Sequence, residues 1–203
     1  ERREGRNHRI ELLPVHEGLP LNPGNPYAAS KVAAEVACEY WRRGAGIELV
    51  IARPFNHIGP GQDRRFAIAD FARQLVQVKL GHSRAELDVG NVDSTRDFTD
   101  VRDVVAAYRA ILKSPDASGI FNVCSDEEVK LRDMISEMAE ILGISIELRV
   151  NPEKLRPSEL MRVRGDSGRL QSDTGWRRRI PLRKSLEDIL ETCLREAREC
   201  EMR

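Results

Sequence analysis

Asn25-Pro26-Tyr27-Ala28-Ala29-Ser30-Lys31 is the stretch on which the reading of this chain turns. Asn25 suits a helix N-cap and Pro26 the first helical position. A helix starting there places Tyr27 and Lys31, four residues apart, on one face, where a phenol and an ammonium can converge on one reacting group. At an effective dielectric of about 20, an ammonium about 5 Å from a phenol favours its ionised form by roughly 3 kcal/mol, enough to make a working acid/base. Outward from that pair, Val32, Ala33, Val36, Ala37 and Tyr40 continue an apolar stripe, and Gly44 and Gly46 close it, predicting a packed helix over 26–43. Ile47 to Ala52 then reads as a buried parallel strand that delivers Arg53-Pro54-Phe55-Asn56-His57 from its carboxyl end.

Beyond it the chain alternates in the manner of an α/β protein. Helices are expected over 66–80, 103–112, 132–142 and 182–197, and strands over 119–123 and 145–150. Residues 151–165 read as a charged loop with two prolines. Asp126-Glu127-Glu128 is placed ahead of a helix, where it favours the N-terminal dipole. Trp176 reads as a packing anchor, and Arg177-Arg178-Arg179 as a solvated turn.

Composition excludes several classes. The 33 basic and 33 acidic side chains cancel, so no global field draws the chain to nucleic acid or to an anionic membrane. No apolar run is long enough to span a bilayer, and residues 1–10 are too charged for a secretory signal, so a soluble cytoplasmic protein is expected. The cysteines at 38, 124, 193 and 200 form no C-x-x-C pair and have no histidines at metal-ligand spacing, so no metal is expected and the thiols read as buried or free.

Tyr27-x-x-x-Lys31, Arg53-Pro54-Phe55-Asn56-His57, Gly59-Pro60-Gly61 and Arg96-Asp97-Phe98 with Val101 and Asp103 together resemble the extended short-chain dehydrogenase/reductase family. The run Gly90 to Asp103, Arg156-Pro157-Ser158-Glu159, Gly165-Asp166 and Thr174-Gly175-Trp176 look like its group of GDP-mannose 4,6-dehydratases and GDP-4-keto-6-deoxymannose reductases. The resemblance runs from about Leu13 to about Leu194. Gly59-Pro60-Gly61-Gln62 and Phe98 look more like the reductases, whose dehydratase relatives usually carry a Ser-Pro-Arg-Arg-like stretch and a tryptophan there.

The resemblance implies a Rossmann-like α/β fold with a smaller carboxyl-terminal α/β substrate domain, NAD(P) as cofactor, and GDP-mannose or a GDP-linked 6-deoxyhexose as substrate. It makes Tyr27 the catalytic acid/base and Lys31 the residue that holds the nicotinamide ribose. His57 matches a nicotinamide-side position, with a histidine hydrogen-bonded in a turn as the plainer alternative. Asn56 offers an amide to a substrate phosphate or hydroxyl, or is an ordinary turn asparagine. Arg96 and Arg156 present planar guanidiniums to a diphosphate, or form surface salt bridges. Glu159 accepts from guanine or ribose, or is a solvated charge.

The family opens with a strand and a Gly-x-x-Gly-x-x-Gly turn, and this sequence has no such run. Gly59-Pro60-Gly61 is no substitute, since its proline offers no amide. No Ser-Ser-x-Glu or Ser-Thr segment precedes Tyr27 to supply a third catalytic residue or, for a dehydratase, its glutamate. The expectation is therefore a carboxyl-terminal portion of a longer enzyme, lacking the cofactor-binding half. Residues 1–24 read as an atypical leader and loop, 25–58 as the remnant of the Rossmann domain, and 59–203 as mostly the sugar-nucleotide domain. Such a remnant leaves apolar surface open to self-association or to the missing polypeptide. The alternatives are a dehydratase and a non-catalytic nucleotide-sugar-binding fragment.

Overall fold

Helix α1 (Pro26–Ala45) starts as its sequence dictates: Asn25 is extended and its side-chain oxygen accepts from the Ala28 amide at 2.8 Å, with Pro26 in the first turn. Gly46, at φ 63°, ends it in the left-handed conformation that glycine tolerates best. The computed structural model of the protein describes residues 13–155 and 160–202.

Strand β1 (Val50–Pro54) follows, then β2 (Asn56–Ile58), α2 (Ala67–Lys79), β3 (Glu86–Val89), β4 (Thr95–Arg96), β5 (Phe98–Asp100), α3 (Val101–Lys113) and β6 (Gly119–Val123). Next come β7 (Val129–Lys130), α4 (Leu131–Leu142), β8 (Glu147–Val150), a 3-10 turn at Pro152–Lys154, α5 (Gly168–Thr174) and α6 (Leu182–Glu201). The pairs β1–β6, β2–β5 and β3–β8 are parallel, and β4–β7 is antiparallel. The first strand begins three residues later than its apolar run suggests. Its partner begins only at Gly119, opposite Val50, so Ile47 to Leu49 have no strand to pair with among the described residues.

Two cores hold these elements. In one, Phe121 and Val123 of β6 meet Val104, Ala107 and Ile111 of α3, with Leu170 of α5 and Trp176. The other packs α2, α4 and α6 over β3, through residues such as Leu75, Leu87, Met134, Met138, Leu186 and Leu190. Trp176 is the packing anchor expected, and its indole N–H donates to the Asp103 carbonyl at 3.1 Å.

The expected packed helix differs from α1 as found. It has no buried residue: Val36, Tyr40 and Trp41 are exposed, and only residues such as Val32, Glu35 and Cys38 are half-covered. The apolar stripe is present, but Val36 and Tyr40 on it stay largely uncovered among the described residues.

Three aspartates of one short run fasten the cores. Asp97 is fully buried and accepts from the amide and hydroxyl of Ser125, both at 2.7 Å, and from the amides of Asp126 at 3.1 Å and Gly165 at 3.0 Å. Burial pushes its carboxyl up from the ordinary value, against those donors. Asp100 caps α3 through the Arg102 amide and accepts from the Ser185 hydroxyl at 2.6 Å. Asp103 accepts from the amides of Arg179 and Ile180.

The acidic trio also serves otherwise than expected. The following helix, α4, starts only at Leu131, so none of the three lies in its first turn. Asp126 instead adopts φ 65° and binds the amide and hydroxyl of Ser167, Glu127 pairs with Arg178, and Glu128 pairs with Arg162. The arginine turn is thereby partly engaged rather than simply solvated.

Candidate functional site

A cleft of about 640 Å³ opens at the carboxyl end of β2. Its walls are the turn after that strand, the start of α2, Gly90 and Asn91 beyond β3, the Arg96 to Phe98 segment, and the 3-10 turn. The volume lies in the range of small-molecule sites.

Asn56 and His57 stand exposed at its edge. His57 Nδ1 lies 3.2 Å from the Phe55 carbonyl oxygen. A carbonyl only accepts, so in the neutral ring the proton is on Nδ1 and Nε2 is left as an acceptor. Gln62 donates its amide to the His57 carbonyl at 2.9 Å, fixing the turn to the strand. Gly61 turns at φ 77°. Gly59 is pressed against α3, since a Cβ there would stand 2.6 Å from Val101 Cγ1. That contact leaves no room for a side chain at this glycine, whereas Gly61 faces open space.

Arg96 lines the same cleft, its Nη1 donating to the carbonyls of Thr95 at 2.6 Å and Leu160 at 2.8 Å. Lys154 closes another wall. Its ammonium lies 3.3 Å from Asp70 and 3.2 Å from Asp88, and Asp88 also accepts from Asn151.

The structure thus gathers Asn56, His57 and Arg96 around one cavity. Tyr27 and Lys31 meet each other on α1, with the ammonium 5.4 Å from the ring centroid, but they do not line that cavity, and Tyr27 is 71% exposed. Arg156 and Glu159 lie outside the described residues. Sequence reasoning missed Gln62, Arg64, Glu153 and Lys154. The signal for the first two was their place directly after a glycine turn leaving the end of a parallel strand, where open α/β sheets gather ligand contacts.

Among the described residues, no group of histidine, cysteine, aspartate and glutamate side chains is arranged to hold a metal ion, and no helix is long and apolar enough to cross a membrane. The described cysteines are all free thiols, and burial pushes the Cys124 thiol far above its ordinary value.

A family profile described as GDP-mannose 4,6 dehydratase matches residues 9–189. The chain is 45% identical over 178 residues to GDP-6-deoxy-D-mannose reductase of Pseudomonas aeruginosa, covering 88% of this chain and 59% of that protein. It is 25% identical over 187 residues to GDP-mannose 4,6 dehydratase 1 of Arabidopsis thaliana, covering 91% of this chain and 51% of that one. In three dimensions it is similar to the structure of RMD from Pseudomonas aeruginosa complexed with NADPH, with a TM-score of 0.86, 43% identity, and coverage of 91% of this chain and 61% of the other.

Proposed function

The chain belongs to the GDP-mannose 4,6 dehydratase family, an extended short-chain dehydrogenase/reductase family with a Rossmann-like α/β fold, and on that premise we propose that it carries the tyrosine–lysine pair and the sugar-nucleotide cleft of a GDP-4-keto-6-deoxy-D-mannose reductase. The observation that carries this reading is the much higher identity to the Pseudomonas aeruginosa reductase than to the Arabidopsis thaliana dehydratase, over similar shares of the chain.

In this reading, residues 25–58 are the remainder of the cofactor unit and most of 59–203 is the substrate unit. NAD(P)H, when bound, supplies the hydride that reduces the 4-keto carbon. Tyr27 gives its phenolic proton to the oxygen on that carbon, so that the ketone becomes a secondary alcohol and the product is GDP-rhamnose. Lys31, on the same helix face, stabilises the phenolate left behind and holds the nicotinamide ribose. His57 offers Nε2 on the cofactor side. Asn56, Arg96, Arg156 and Glu159 hold the GDP-sugar.

The 5.4 Å approach of Lys31 to Tyr27 and the exposure of both fit the nicotinamide end of the cofactor. The described residues fit its diphosphate less well, because in the turn at 59–61 Pro60 offers no amide and Gly59 lies against Val101. The chain spans about three-fifths of the reductase it matches. We therefore expect it to bind GDP-sugar weakly and to turn over negligibly by itself, which is also what a non-catalytic binding fragment would do.

A chimera separates the two readings. The part of the Pseudomonas aeruginosa reductase without a counterpart here is joined ahead of residue 13, and NADPH oxidation is followed with the GDP-4-keto sugar. Turnover supports the reductase. A folded chimera that binds GDP and NADPH without turnover overturns it.

A further inference from the structure

Six charged side chains line the cleft: Arg64, Arg65, Asp70, Arg96, Glu153 and Lys154. Four are engaged within the protein. Arg65 pairs with Asp63 at 3.0 Å, Asp70 with Lys154, Lys154 also with Asp88, and Arg96 with two main-chain carbonyls. Among the described residues, the side chains of Arg64 and Glu153 make no hydrogen bond or salt bridge. Lys154, the cation next in sequence to Glu153, is held by its two aspartates and does not neutralise it. Both unpaired side chains are exposed and solvated, so they cost the fold little and are available to a ligand.

Their positions differ. Arg64 lies on the turn that Gln62 ties to the His57 carbonyl, at the β2 end of the cleft. Glu153 lies on the 3-10 turn, whose Lys154 carbonyl is pressed against Gly90 beyond β3, so that a Cβ there would stand 2.8 Å from it. A cation at one wall and a carboxylate at another select a ligand with an anionic group and, apart from it, a pair of donors. A carboxylate accepts two parallel N–H groups through its two oxygens. Guanine presents such a pair, N1–H beside the exocyclic N2 amine, whereas adenine and uracil present single donors flanked by acceptors.

Resting on the GDP-sugar reading above, we propose that Glu153 reads the guanine edge and Arg64 takes the diphosphate, so that the nucleotide runs from the 3-10 turn towards the end of β2 and carries its sugar to Asn56 and His57. The base specificity of the site is then set by a residue preceding the Arg-Pro-Ser-Glu run.

Calorimetry on the full chain with GDP and with inosine 5′-diphosphate, which lacks the exocyclic amine, tests this. Wild type is expected to bind GDP about tenfold more tightly than inosine diphosphate, the worth of one charge-assisted hydrogen bond. E153Q and E153A, with unchanged circular dichroism, should bring the two nucleotides to within about twofold, while R64A should weaken both by a common factor of about ten. An E153A chain that keeps the wild-type preference, or an R64A chain that alters it, overturns the assignment and leaves GDP binding standing. Failure of wild type to bind GDP at millimolar concentration overturns this assignment together with the reading on which it rests.

Discussion

Arg53 grips Glu35 with two near-parallel bonds, Nε to Oε1 at 2.8 Å and Nη2 to Oε2 at 2.6 Å, and each side chain is only 20% exposed. This pair joins α1 to β1, a helix with no fully buried residue to a strand that is itself half-covered. The side-chain bond to Glu35 raises the Arg53 pKa against the effect of burial. Glu35→Ala removes the acceptor and leaves a half-buried guanidinium, so we expect a loss of roughly 1.5 to 3 kcal/mol in the local stability of α1. Hydrogen exchange should show amides 26–45 opening faster while those of α2 and α6 keep their protection. Equal acceleration in all three helices, or no change in α1, would show that the helix is held by something else.

Gly165 tolerates no side chain. A Cβ there would lie 2.5 Å from Cys124 Sγ and 2.9 Å from Phe55 Cζ, and its own amide is bound by buried Asp97. Gly165→Ala should destabilise the fold by roughly 1 to 3 kcal/mol through overpacking. Urea denaturation measures it directly, and an unchanged midpoint would contradict the close approach.

Glu128 governs part of the acid sensitivity. Bonds from Arg162 and Thr95 hold its carboxyl at about 2, below the ordinary 4.5. A depressed folded-state pKa gives stability that is complete above pH 4.5 and is lost as pH falls towards 2. Solvent screens an arginine this exposed, so the effect is about 1 kcal/mol. Chemical denaturation at a series of pH values should give a shallower acid slope for Glu128→Gln than for wild type. Identical slopes would dismiss the pair as an acid-sensitive contact.

In the chimera described above, Tyr27→Phe should lower kcat by roughly 10² or more, since the phenolic proton has no replacement, with KM for the GDP-sugar little changed. A rate equal to that of the unsubstituted chimera would remove Tyr27 from proton transfer.

The uncovered stripe of α1 should drive association. Val36 and Tyr40, one turn apart, are 65% and 69% exposed. Sedimentation velocity is expected to show wild type associating as its concentration rises, and Val36→Asp with Tyr40→Lys to leave a monomer. A wild-type chain that stays monomeric at every concentration would show the stripe is too small to recruit a second copy.

The helix cap at Asn25, the facing pair on α1, the anchor role of Trp176 and the family itself were legible because each depends on local spacing or on residue types in a fixed order. The covering of α1 was not, because an apolar stripe at 3.6-residue spacing records the need for a partner and not its presence. The short strands β2, β4, β5 and β7 span two or three residues each, too few for alternation to register. Asp97, Asp100 and Asp103 lie in the run that carries the family resemblance, where spacing gives them no role of their own. Their work is structural, and its acceptor geometry depends on Ser125, Gly165, Ser185 and Arg179, which sequence distance hides.

Those same aspartates impose an order of events on synthesis. Asp97 reaches 28 residues ahead for Ser125 and 68 ahead for Gly165, and Asp100 reaches 85 ahead for Ser185. On a ribosome adding about 5–20 residues each second, these carboxylates emerge several seconds before the amides and hydroxyls they will bind. Until then they remain hydrated, and burying them without their donors is costly. The nascent chain is thereby kept from closing either core early, and its consolidation waits for the carboxyl-terminal third to leave the tunnel.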